Sequence, residues 1–326
     1  MRVGWKTLAW AAAMGLMAPG FAQDGGIAAT RYPEKPVRVI VAQAVGGNAD
    51  TQARLFATKL SESLGRQFIV DNRPGRHIAW TLAAKAPADG YTLLVVLPDL
   101  TYAPALFRNL PVDPLKDFEP ISLMSRTPYL LVANPSLPAR SVKDLIALAR
   151  SDPGKLNFGG GISGSGTHLM AVSLFTLANI KASYVPYKGV SQAIIDMLAG
   201  QIDAGFTTGS AVTHVQSGKL RALGISTGQR SKRLPEIPTI LEQGVSGFDA
   251  AAFHGWAAPV GTPPAVIGKL SAALARAAQM SDVASALAKD NSEPVGSTPR
   301  GFRDFIAAEV PRWHAIVRDS GMKVEF

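Results

Sequence analysis

Residues 156–170 read LNFGGGISGSGTHLM, and the rest of the chain is organised around this stretch. A short apolar run, Leu156 to Phe158, ends in a loop holding Gly159, Gly160, Gly161, Gly164 and Gly166, with Ser163 and Ser165 between them. Thr167 and His168 then open an apolar helical pattern in which Leu169, Val172 and Leu177 are core candidates. Strand, glycine loop and helix start together offer free backbone N–H groups and the positive end of a helix to an anion. Glycines let the backbone come close to a ligand, and hydroxyls add donors. The expected ligand groups of this loop are Ser163, Gly164, Ser165, Gly166 and Thr167.

Working outward, the loop sits inside an alternation of strand and helix patterns. A strand at 129–133 and a helix at 142–150 precede it. A strand at 182–187, a helix at 191–199 and strands at 204–208 and 220–227 follow. Before this unit lies another of the same kind. Val37 to Ala42 reads as a buried strand running into Gly46-Gly47-Asn48, then a helix with Ala53, Phe56, Leu60 and Leu64 on one face. A strand at 67–71, a turn at Asn72 to Gly75, a helix at 78–85 and a strand at 92–97 continue the series. Buried strands alternating with helices predict an α/β fold with parallel sheets, whose ligands sit beyond the carboxyl ends of the strands. A strand at 253–258 returns to the first unit. Helices at 265–278, 283–289 and 299–319 close the chain, the last expected to kink at Pro311. Two crossings, near Arg126 to Tyr129 and Phe248 to Phe253, predict two lobes with a cleft and a hinge. The expected boundaries are 30–126 with 251–326 for the first lobe and 127–250 for the second.

Composition excludes several classes. The first 22 residues have a basic start (Arg2, Lys6), a short apolar run (Leu8 to Met17) and a small-x-small end at Gly20-Phe21-Ala22, the pattern of a cleaved export signal. No other stretch approaches the length of a membrane span. The chain has no cysteine, which removes disulfides, thiol catalysis and a lipid anchor on cysteine. Export without disulfides points to the periplasm. The formal net charge of +9 is scattered, its longest run being Arg230-Ser231-Lys232-Arg233, so no nucleic-acid partner is expected. The five histidines are spread widely and predict no metal site.

Specific chemistries fail on detail. Gly159, Gly161 and Gly164 spell a dinucleotide fingerprint, but the next strand ends Val185-Pro186-Tyr187-Lys188-Gly189 without the acidic residue a ribose needs. The nucleophile elbow fails because Ser165 stands where the last glycine should be. His168 is expected to fix the loop rather than to catalyse. Asp50 and Asp99 follow strand ends, where a cap competes with a ligand role. Arg76, His77 and Trp80 form an unusual group after the second strand. The arginine could pair with a carboxylate and the tryptophan cover a ligand, or the arginine could face solvent and the tryptophan the core.

A run of motifs then carries a family resemblance over nearly the whole chain after the signal. It includes Tyr32-Pro33-Glu34-Lys35-Pro36, Gly46-Gly47-Asn48-Ala49-Asp50, Asp71-Asn72-Arg73-Pro74-Gly75 and Asp89-Gly90-Tyr91-Thr92. It continues through Leu110 to Pro114, Pro153 to Asn157, Gly164-Ser165 with His168-Leu169, Val185 to Gly189 and Leu234 to Thr239, and ends at Gly255 to Pro263. In these the chain resembles the solute receptors of tripartite tricarboxylate transporters, the Bug-type family. The resemblance implies a two-lobed, type II-like periplasmic-binding-protein fold of the Venus-flytrap kind. It implies capture of a small carboxylate in the interlobe cleft and delivery to membrane permease subunits, by a monomer without cofactor, metal or catalysis. A ligand-presenting sensory subunit and an exported enzyme acting on a carboxylate are the alternatives. The expected site is Gly164 to Thr167 with Ser163 from one lobe, Gly47, Asn48, Asp50, Arg76 and His77 from the other, and Thr207 and Thr208 at the side. The chain departs from the family pattern at Ala42 to Val45, Arg76 to Trp80, Gly160 and Thr207, all in loops expected to face the ligand.

Overall fold

The computed structural model describes residues 31–322, so the expected export signal at 1–22 lies outside the described residues. Two sheets form. In the first, strands β1 (Val37–Val41), β2 (Phe68–Asn72) and β3 (Thr92–Val96) run parallel, with β1 between the other two. Beyond β3 lie β10 (Ala251–Pro259), β4 (Phe118–Pro128) and the two-residue β11 (Glu293–Pro294), each antiparallel to its neighbour. The second sheet has the order β7 (Ser183–Pro186), β6 (Asn157–Gly160), β8 (Ala204–Thr207), β5 (Leu130–Ala133), β9 (Arg221–Ile225). There β6 is parallel to β7 and β8, whereas β5 is antiparallel to β8 and β9.

Strand alternation places one helical layer on each face of the first sheet. Val39, Val41, Leu93 and Val95 pack with Phe56 and Leu60 of α1 (Asn48–Leu64) and with Leu270 and Leu274 of α8 (Pro264–Ala278). Ile40, Leu94 and Val96 face the other way. They meet Ala79 and Trp80 of α2 (Arg76–Ala84), Leu100 of α3 (Pro98–Leu106), and Phe302 and Ile306 of α10 (Pro299–Ser320). Trp80 is therefore a core residue, 1% exposed, and does not cover the cleft. Helix α9 (Ser281–Ala288) follows α8.

The second sheet is covered by α4 (Val142–Ser151), α5 (Gly166–Leu177), α6 (Val190–Leu198) and the short α7 (Val212–Gln216). Its larger core takes in residues from outside the second run of strands: Tyr102 and Leu106 of α3, and Trp313 and Val317 at the end of α10. Helix α10 continues through Pro311 without interruption, and this lets it reach from the first sheet to the second. The chain crossings are tied together by one hydroxyl. Ser226 Oγ accepts the Tyr129 N–H at 2.9 Å and donates to the Ala250 carbonyl at 2.6 Å.

Three elements escape the sequence periodicity. Helix α3, strand β4 and helix α7 lie where the pattern predicts loop. Leu177, expected in the core, is 39% exposed because it ends α5.

Candidate functional site

The glycine loop closes on itself before it offers anything outward. Strand β6 extends to Gly160, and Gly164 takes φ +75, a left-handed turn that favours glycine. Ser165 caps α5, its hydroxyl accepting the His168 N–H. The Gly161 N–H donates to Thr167 Oγ1 at 2.9 Å and the Gly164 N–H to His168 Nδ1 at 3.0 Å. Tyr184 Oη donates to the Gly161 carbonyl at 2.8 Å, and its ring lies 4.2 Å from that of His168. Burial lowers the His168 pKa, so the ring is neutral at pH 7 with its proton on Nε2, as an accepting Nδ1 requires. His168 therefore fixes the loop. Left over, without a partner among the described residues, are the first-turn N–H groups of Gly166 and Thr167, which the helix itself does not use. Ser163 is exposed at the loop tip.

Opposite Gly166 stand two phenols. Tyr129 Oη lies so close to the Gly166 Cα that a Cβ there would collide with it, and Tyr102 Oη would be 3.6 Å from the same Cβ. Both rings are buried, and burial raises both phenol pKa values. No hydrogen bond to either hydroxyl forms among the described residues, so both remain able to donate. Leu106 Cδ1 comes within 3.4 Å of a Cβ built on Gly164, which places α3 of the first lobe directly on the loop of the second.

Arg76 reaches this place from α2. Its Nε lies 3.8 Å from Asp99 Oδ2, and its guanidinium carbon is 6.0 Å from the Phe107 ring. Asp99 is buried near the start of α3. Burial pushes its carboxyl up to about 6, against the opposing pull of Arg76. His77 packs edge-on against Phe107, with ring centroids 4.7 Å apart. Burial, then the neighbouring Arg76 charge, lower its pKa, so it too is neutral at pH 7. Arg76, its side chain 26% exposed, is drawn towards Asp99 and is close enough to Tyr102 to act on its phenol.

The remaining expected residues gather elsewhere. Gly47 is the N-cap of α1. Asn48 Nδ2 donates to Asp290 Oδ2 at 2.9 Å, and the Asp290 backbone sits 2.7 Å from a Cβ built on Gly209, the residue after Thr208. Asp50 is 3% exposed and occupied by the protein itself, accepting the Gly46 N–H and pairing with Arg54 at 2.9 Å. Burial pulls its pKa up, but Arg54 and the Gly46 N–H hold it below the usual carboxylate value. Asp50 braces the loop. Thr207 is buried in β8 and donates to the Thr208 carbonyl at 2.9 Å. The expected residues thus fall into two groups, one around Gly166 and one around Asp290.

Two cavities lie apart from these groups. One of about 440 Å³ is lined by Phe175, Ile180, Tyr184, Met322 and the far side of the loop at His168. The other, about 310 Å³, lies at the lobe crossings between Arg126, Arg230, Lys232 and Asp249. Among the described residues no cluster of three His, Cys, Asp or Glu could hold a metal ion, and no helix is long and apolar enough to cross a membrane. Sequence reasoning missed Tyr129 and Asp290, and reached Tyr102 only as the last residue of the strand end at 98–102, without a role of its own. The tyrosines follow a strand end and begin a strand, positions that periodicity assigns to packing. Their convergence on Gly166 is visible only in three dimensions.

Comparison with known proteins identifies the family. A family model described as tripartite tricarboxylate transporter family receptor (TctC) matches residues 52–322. Protein BugT of Bordetella pertussis is 37% identical over 305 residues, covering 92% of this chain and 93% of the relative. An R. palustris protein solved with adipate superposes with a TM-score of 0.78 at 33% identity, covering 89% of this chain and 98% of the other. MatC from Rhodopseudomonas palustris with bound malate gives 0.75 at 31% identity, covering 88% and 100%. The periplasmic binding protein BugD gives 0.76 at 29% identity, covering 90% and 99%.

Proposed function

This chain belongs to the tripartite tricarboxylate transporter receptor family, and from that premise we propose that it captures a small carboxylate between its lobes in the periplasm. It then delivers the solute to the permease subunits of such a transporter. One observation supports this most strongly: the free N–H groups of Gly166 and Thr167 and the hydroxyls of Tyr102 and Tyr129 converge where Arg76 approaches from the other lobe. Fixed donors aimed at one point, backed by a helix start and a guanidinium, suit an oxyanion. The solved relatives with adipate and malate hold ligands of that chemistry.

The lobes we assign are 30–126 with 251–326, and 127–250, with the end of α10 laid across onto the second. A solute touching both lobes selects the closed arrangement because only there does it make all its contacts. The chain acts as a monomer and as a binder rather than a catalyst, since His168 Nδ1 is committed to Gly164. Asn48 and Thr208 shape the solute's remainder, with His77 flanking Arg76 and Thr207, buried in β8, backing Thr208. A thermal-shift panel of mono-, di- and tricarboxylates tests the reading. A ligand bound only by the native state must raise the melting temperature. At least one carboxylate should do so, and Arg76→Ala should shrink the shift. A folded, ligand-free protein indifferent to every carboxylate would refute it.

A further inference from the structure

Asp99 is an unusual neighbour for an anion site. Its side chain is 12% exposed, and its Oδ1 is buried without a hydrogen-bond partner. The cation it faces is Arg76, at a loose 3.8 Å. The other titratable groups around it are the phenol of Tyr102 on its own helix and that of Tyr129 at the lobe crossing, both kept neutral by burial. On α2, His77 stands beside Arg76 and is neutral at pH 7. On α10, which packs against α3, Glu309 is engaged with Arg312 and with Trp313 Nε1, each at 3.0 Å. Helix α5 presents the Gly166 backbone there, not a titratable side chain.

An ionised carboxylate so enclosed depends on its one cation, helped by the backbone N–H groups of Leu100 and of Asp99 itself. A solute carboxylate that engages Arg76 must share that cation with Asp99. Resting on the reading of the cleft as a carboxylate site, we propose that Asp99 takes up one proton when the solute binds, so that the receptor captures a carboxylate and a proton together. The proton comes from solvent and forms an O–H bond on the Asp99 carboxyl, and it offsets the charge of the one solute carboxylate that engages Arg76. Two carboxylates beside one guanidinium are the like-charge arrangement in which one pKa rises. The Asp99 carboxyl already stands at about 6 without a solute. A further rise carries it through neutral pH, the range of a receptor working in the open periplasm. Asp99 then sets specificity as well as pH response: it lets the site accept an anion that an ionised carboxylate would repel.

The test is calorimetric titration with adipate and with malate at pH 7, in phosphate and in Tris, whose ionisation heats differ enough to report bound protons. Wild type should take up between about half a proton and one proton per solute, and its affinity should fall by up to tenfold per pH unit between pH 6.5 and 8, where the solute carboxylates stay ionised. Asp99→Asn, neutral at every pH, should take up none and should bind at pH 8 about as tightly as wild type binds at pH 6. Zero uptake by wild type, or an unchanged pH profile in Asp99→Asn, overturns the proposal and leaves the carboxylate reading standing. If neither adipate nor malate binds, the Asp99 carboxyl carbon is titrated by NMR in wild type and in Arg76→Ala, where deletion imitates a guanidinium taken by a solute. A midpoint raised by more than one unit supports the coupling, and an unmoved midpoint overturns it. Failure of every carboxylate overturns the receptor reading instead.

Discussion

Gly166→Ala probes the meeting of the lobes with a single methyl group. A Cβ at Gly166 would overlap the Tyr129 hydroxyl and lie 3.1 Å from Tyr129 Cζ and 3.6 Å from Tyr102 Oη. Tyr129 is 6% exposed and its backbone N–H is held by Ser226, so the ring has little room to retreat. Forcing a methyl group into a packed contact costs about 1–3 kcal/mol. At roughly 2–4 °C per kcal/mol for a chain of this size class, melting should fall by about 2–12 °C. Tyr129→Phe removes the overlapping oxygen, which has no protein acceptor, and alone should change stability by less than about 0.5 kcal/mol. Combined with Gly166→Ala it should recover part of the loss, because Cζ remains tight, giving an interaction energy of at least about 0.5–1 kcal/mol. Urea unfolding of the four proteins measures this cycle. Gly166→Ala as stable as wild type, or two substitutions that simply add, would refute the placement of Tyr129 against the start of α5.

Other expectations concern the loop, the core and the acid limit of stability. Thr167→Val keeps the shape of the side chain but leaves the buried Gly161 N–H without its acceptor, so unfolding free energy should drop by about 1–3 kcal/mol, with Thr167→Ser restoring most of it. Trp80→Ala should lose about 3–5 kcal/mol by the same measurement while leaving solute affinity in the folded protein within about twofold, since Trp80 lies under the sheet. His254 is buried beside Ser125, and burial alone lowers its pKa from 6.5 to about 4. The unfolded chain therefore binds the extra proton first: stability is complete above about 6.5 and falls as pH drops towards 4, by up to roughly 3 kcal/mol. His254→Gln should flatten that part of the stability–pH curve. Arg76→Ala should weaken the best-bound carboxylate at least tenfold by calorimetry, the scale of a charge-assisted contact.

Much of the fold could be read in the sequence because its parallel strands are short apolar runs set between amphipathic helices. Val37 to Val41 and Thr92 to Val96 are buried on both faces, so their composition alone marks them. Strand β4 escaped because Glu119, Ser122, Ser125, Arg126 and Thr127 interrupt its apolar residues. Several of these are spent on internal bonds, such as Ser125 with Gln52 and Thr127 with Ser292. Helix α3 escaped because Pro98 and Pro104 read as breakers, although a proline at the first helical turn costs no hydrogen bond. At the site, the glycine loop announces itself through spacing, and Arg76 through being a charged residue at a strand end. Tyr102 and Tyr129 do not, since their importance comes from distant segments meeting at Gly166, and Asp99, visible at a strand end, reads there as a cap as readily as a ligand. Asp50 misleads for the opposite reason: in sequence it looks poised, and in space its oxygens are already used by Gly46 and Arg54.

The central claim is that a carboxylate bridges the lobes between Arg76 and the first turn of α5. A crystal structure with the strongest-binding carboxylate of the panel tests it most directly. One carboxylate group should lie within hydrogen-bonding distance of the Gly166 or Thr167 N–H and of the Arg76 guanidinium at once, with Tyr102 or Tyr129 donating to it. A carboxylate seated instead in the cavity between Arg126, Arg230 and Lys232, with the Gly166 turn empty, would contradict it.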